Sequence, residues 1–137
     1  MDIEKQWWNT FDTYGIAFEK ACPDYESLDA KTKTIGALMK LELDMYNGGF
    51  IQFFCNWGYS AYLLALSGLE QIGAAEAKDI IKSAFAVVNQ YEDNEHIQAL
   101  WDIPTVLSDK DNAALDLLDK RYWENTDSVM EKMLHYF

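Results

Sequence analysis

Glu42, Asn47, Gln52 and Asn56 come nearest, by type and spacing, to a reaction centre in this sequence. A carboxylate just before a glycine pair, with amides around it, could shape a polar pocket for a small ligand. A desolvated Glu42 would then act as a general base. The same residues have a structural reading. Gln52 and Asn56 are four apart and share one face of a helix. In apolar surroundings both amides need partners, and exposed carbonyls or amides at the Asn47-Gly48-Gly49 turn can supply them. A lone carboxylate among amides specifies no reaction, so the structural corner is the favoured reading.

Other chemistry is sparse. His96 and His135 belong to no H-x-x-x-H or E-x-x-H pattern, and Cys22 and Cys55 match no metal or redox spacing. Cys55 sits among aromatics and is expected to be a buried free thiol. No nucleophile elbow, P-loop or dinucleotide fingerprint is present. The expectation is a protein with no catalytic residue, no cofactor and no metal.

The elements that carry these residues read as helical throughout. Ile3, Trp7, Phe11, Tyr14 and Phe18 step by three or four along a first helix, which Pro23 closes. A second helix starts near Asp29, carries Ile35, Leu38, Met39, Met45 and Tyr46, and stops at Gly48-Gly49. Phe50, Phe53, Phe54 and Trp57 give a short helix ended by Gly58, with Ser60 as the cap of the next, which carries Leu63, Leu66 and Leu69 and runs to about Gly73. Core packing explains these aromatics better than base stacking, because no positive charge accompanies them. Ala77, Ile80, Ile81, Ala84, Phe85 and Val88 form another stripe. The sequence "IQALWDIP" reads as a turn or short helix stopped before Pro104. Ser108 and Asp111 resemble a capping box. The final helical region is one helix or two broken near Asn125. Residues 1–137 are therefore expected to form one all-α domain.

The 137 residues include 23 acids against 11 Lys and Arg, a formal charge of −12. Such a balance repels nucleic acid and anionic membranes and favours a basic protein surface. From Glu92 to Glu131 there are eleven acids and three bases, a net −8. Residues three or four apart on a helix lie roughly 5–6 Å from one another. Asp116 with Asp119, Glu124 with Asp127, and Asp127 with Glu131 would then form like-charge pairs facing out, while Leu115, Leu118, Tyr122 and Met133 face in. Such a row has the scale of a nucleic-acid backbone. Asp109, Asp111, Asp116, Asp119, Glu124, Asp127 and Glu131 are the candidate partner-binding surface.

The N-terminus lacks the basic start and apolar run of a signal peptide. The uncharged stretch 47–69 is broken by glycines and amides and flanked by acids, unlike a membrane span. A cytoplasmic protein is expected.

The segment "LELDMYNGGFIQFFCNWG" resembles a bacterial family of small acidic helical proteins, the DNA-mimic family. Its pattern is an acidic helix end, N-G-G-F, Q-F-F, then Asn and Gly. The matching residues are Glu42, Asn47, Gly48, Gly49, Phe50, Gln52, Phe53, Phe54, Asn56 and Gly58. A weaker likeness covers Leu118, Asp119 and Tyr122. The resemblance implies an all-helical domain that occupies the DNA-binding surface of a basic partner, a helix-turn-helix transcriptional regulator, and relieves repression. Two alternatives stand beside it: a small-molecule or enzymatic site around Asn47-Gly48-Gly49, and an immunity-type protein that neutralises a basic toxin.

Overall fold

A computed structural model describes residues 2–91 and 93–137. Glu92, counted above among the acids, lies outside the described residues. The order is α1 (Ile3–Thr10), a π-helical turn (Phe11–Gly15), α2 (Ile16–Ala21), a 3₁₀ turn (Tyr25–Ser27), α3 (Ala30–Met45), α4 (Phe50–Gln71), α5 (Ala75–Asn89), a 3₁₀ turn (Leu100–Asp102), α6 (Ile103–Val106), α7 (Asp109–Trp123) and α8 (Val129–Tyr136). No strand occurs among the described residues. The fold is all-α.

The expected first helix is one continuous run, α1 to α2, with a wide π turn inside it. Asp29 caps α3, its carboxylate accepting from the Thr32 amide at 2.7 Å. α3 is the central helix. Ile35, Ala37, Leu38, Met39 and Leu41 are buried all round it, so no narrow apolar stripe marks it. Phe18 of α2 lies against Gly36, where an added Cβ would stand 2.5 Å from the Phe18 Cβ and 2.8 Å from its ring. Tyr25 stacks on Phe18 with centroids 4.1 Å apart. α4 packs along α3, and α5 covers α4 with Ala77, Ile80, Ile81, Ala84 and Val88 inward.

The short helix that begins at Phe50 ends at Gly58 as expected, with φ 86° and ψ −171°, and a second helical segment of α4 follows that break. Gly58 alone supplies the conformation a side chain would resist. Ser60, expected as a cap, is an exposed residue within α4. Pro104 does not end a helix; it sits in the first turn of α6, where its missing N–H costs nothing. Ser108 and Asp111 do form the capping box that starts α7. The final region is two helices, parted where Asn125 and Ser128 take left-handed backbone at φ 54° and 48°.

Because Phe18 is fully buried, Phe18→Ala is expected to lower stability by roughly 3–5 kcal/mol. Trp8→Ala, at a position 47% exposed, is expected to cost far less. Equilibrium urea unfolding of both variants checks the contrast.

Candidate functional site

The turn between α3 and α4 is organised by Asp44. Its main-chain carbonyl accepts from the amides of Asn47, Gly48 and Gly49 at 3.1, 2.9 and 2.8 Å. Its buried side chain accepts from Gln52 Nε2 at 2.7 Å, Trp57 Nε1 at 2.8 Å and, more loosely, Asn56 Nδ2 at 3.4 Å. Gln52 also takes a hydrogen bond from Asn47 Nδ2 at 3.3 Å. The two amides do share a helical face, but their main partner is the Asp44 carboxylate rather than the turn's backbone. No sequence pattern links Asp44 to these amides. Its spacing from Gln52 crosses a helix break, where periodic rules no longer apply.

Lys40, one turn earlier on α3, completes the cluster. It is buried, with Nζ 4.9 Å from the ring centroids of both Phe11 and Trp57 and 3.2 Å from Glu19 Oε2. Trp57 thus meets a cation on its face and a carboxylate at its N–H edge, the two polarities an indole offers. Its carbonyl, next to the Gly58 break, accepts from Tyr25 Oη at 2.9 Å.

Asp119 corrects the surface assignment. It is buried, and its Oδ1 accepts from the Phe50 amide at 3.0 Å. That amide opens α4 and has no partner within its own helix. A Cβ on Gly49 would stand 2.2 Å from Asp119 Oδ2, and Gly49 holds φ 81°. Burial raises the Asp119 pKa, the Phe50 hydrogen bond opposes it, and the nearby Asp116 charge adds to the rise. The expected Asp116–Asp119 outward pair therefore does not exist; Asp116 alone faces solvent.

Glu42 is likewise interior. It accepts from Tyr122 Oη at 2.8 Å, and burial pushes its carboxyl up to about 7 against the opposing bonds from Tyr122 and the Met130 backbone. Gln52 and Asn56 are gathered on Asp44 while Glu42 meets Tyr122, so the four residues of the imagined pocket do not converge. Phe50, Phe53 and Phe54 are core residues. Cys55 is free and buried, with its thiol 3.3 Å from the Leu100 carbonyl, and burial pushes it up to about 11.

The remaining acidic candidates divide by what they touch. Asp111 caps α7 and also accepts from Tyr91 Oη and Gln90. These bonds hold its carboxyl down at about 2, the Tyr91 contact contributing most. Asp127 Oδ2 accepts from the Ala77 amide at 2.7 Å in the first turn of α5, and Oδ1 lies 3.6 Å from Lys132. The Asn125–Ser128 break also removes the helical spacing assumed for Glu124, Asp127 and Glu131. Asp109, Asp116, Glu124 and Glu131 are exposed, and none forms an ion pair among the described residues.

No group of three or more His, Cys, Asp or Glu among the described residues is arranged to hold a metal ion. Among the same residues no helix is long and apolar enough to cross a membrane.

These features define a small acidic all-helical domain whose polar motif braces the fold and whose exposed carboxylates include Asp109, Asp116, Glu124 and Glu131 on α7, α8 and the turn between. A family model described as DMP19-like protein matches residues 26–137, and the chain belongs to that family, the DNA-mimic one its sequence resembles. Comparisons with curated proteins and with solved structures give no match.

Asp44→Ala would leave three side-chain donors without their acceptor and is expected to cost about 3 kcal/mol or more. Asp116→Ala, on the surface, should stay within about 0.5 kcal/mol of the parent in the same urea unfolding series. Glu42 gives a pH signature. Its folded pKa of about 7 lies above its ordinary 4.5, so the native state holds the proton longer than the unfolded chain does. Stability should fall as pH rises from about 4.5 to 7 and level off above. Glu42→Gln is expected to flatten this decline and to raise stability at pH 8, by on the order of 3 kcal/mol. Unfolding measured at pH 4.5 and pH 8 would show it.

Proposed function

We propose that this chain is a non-enzymatic, cytoplasmic binding protein that acts as a DNA mimic. It presents carboxylates to the Lys and Arg side chains of a DNA-binding protein, such as a helix-turn-helix regulator, and keeps that protein from DNA. The observation that carries this reading is the set of exposed carboxylates Asp109, Asp116, Glu124 and Glu131 without ion-pair partners among the described residues. Membership of the DMP19-like family and the formal charge of −12 support it.

The geometry of α7 suits such a role in part. Asp109 and Asp116 are seven residues apart in one helix, so they share a face at a separation of about 10 Å. That is the axial length of about three phosphate steps on one DNA strand. Lys110, Lys120 and Arg121 interrupt the acidic surface, and Arg121 is turned to Glu76 at 3.8 Å. The mimicry therefore rests on a few open carboxylates rather than on an unbroken row. The side-chain amides of the Asn47–Asn56 corner are engaged with one another and with the Asp44 carboxylate, which favours a binding protein over an enzyme at that place.

A low-salt pull-down from source lysate, eluted with rising salt, would identify the partner. With that partner in hand, Asp116→Lys plus Glu124→Lys is expected to weaken binding at least about tenfold at 0.1 M salt and to flatten its salt dependence. A DNA duplex carrying the partner's site should compete. Unchanged affinity in the double variant, or simultaneous binding of DNA and this chain, would sink the reading. Capture of a basic toxin domain instead would replace it with the immunity function.

A further inference from the structure

A cleft of about 280 Å³ opens where the end of α3 meets the turn between α7 and α8. Glu42, Tyr46, Asn125, Ser128, Met130 and Glu131 line it. Glu42 is 3% exposed and has no cationic partner among the described residues. Its hydrogen bonds come from neutral donors, the Tyr122 hydroxyl and the Met130 backbone. Tyr46 is 54% exposed and close enough to Glu42 for that charge to raise the phenol's pKa, although burial raises it more.

The lining has a consistent chemistry. Two carboxylates, an amide and a hydroxyl offer acceptor oxygens. The Tyr46 ring offers a π face, and Met130 offers an apolar wall. A flat, delocalised cation with several N–H donors and an aliphatic stem answers all three. A metal ion would have no use for the ring, and an anion would be repelled by both carboxylates.

We propose that this cleft binds an alkyl guanidinium, and that in the complex it receives one arginine side chain of the DNA-binding partner. The source of the arginine rests on the DNA-mimic reading; the cleft's affinity for the guanidinium does not. The exposed acids of α7 meet the partner in solvent, where salt screens them. Glu42 meets it in a recess, where screening is weaker. The cleft thus gives the complex one contact that a uniform charged surface lacks.

The test is a titration of N-butylguanidinium into the ¹⁵N-labelled full chain, with n-butanol as the neutral control. At pH 8 the expected result is a saturable shift of the Tyr46, Asn125 and Ser128 amide resonances, absent with butanol. Affinity should fall at least about tenfold at pH 5, where Glu42 carries a proton. The titratable groups facing Glu42 are Tyr46 beyond α3, Tyr122 from α7 and Glu131 from α8. The tyrosines stay protonated across this range, and Glu131→Gln is expected to keep the pH dependence. Glu42→Gln, which retains an acceptor for Tyr122, should lose the binding. Should that variant unfold, Tyr46→Ala at an exposed position should weaken binding several-fold.

No saturable shift at pH 8 would overturn the proposal. So would equal affinity in folded Glu42→Gln, or shifts centred on Asp109 and Asp116 instead of the cleft. Because this titration contains no partner, its failure is separate from failure of regulator binding. If guanidinium binds but Tyr46→Ala leaves the regulator's affinity unchanged, the arginine assignment falls.

Discussion

The carboxylate of Asp44 is a charge held inside the protein, and the paths of two helices depend on satisfying it. A buried carboxylate stripped of water needs several N–H donors in fixed places. Gln52, Asn56 and Trp57 supply them from the first segment of α4, while the Asp44 carbonyl collects the amides of the turn. The direction in which α4 leaves α3 follows from those bonds. Trp57 passes the constraint on. Its ring covers Lys40, and its carbonyl holds Tyr25, which stacks on Phe18 in the heart of the core. Removing any one member leaves the others as uncompensated polar groups in a low-dielectric interior, so the cluster acts as a unit.

The acidic residues of this chain do three different jobs. Glu42, Asp44 and Asp119 are interior and hold the helices to one another. Asp111 and Asp127 are spent on the first turns of α7 and α5, where backbone amides are free and the helix dipole favours a negative charge. Asp109, Asp116, Glu124 and Glu131 remain exposed, without an ion-pair partner among the described residues. Long-range attraction follows net charge, and at −12 the whole protein steers toward basic surfaces. Family membership carries the fold across; the placement of open carboxylates must be read for each chain separately.

What the sequence by itself determined is local. Helical spacing located the segments of the core, and Asp29 and Ser108 announced helix starts through their own next few residues. The glycines at 48, 49 and 58 marked where the path turns, because backbone conformation is set within a residue or two. The structural reading of the Gln52–Asn56 face was legible for the same reason. Only the tertiary structure decided which carboxylates lie inside. Asp119 meets Phe50 across 69 residues, and Glu42 meets Tyr122 across 80. Asp119 falls between Leu115 and Tyr122 on the inward face of α7, but that spacing does not say which donor would satisfy a carboxylate there. Whether a carboxylate is worth burying depends on donors brought from elsewhere in the chain, and helical periodicity holds no record of them.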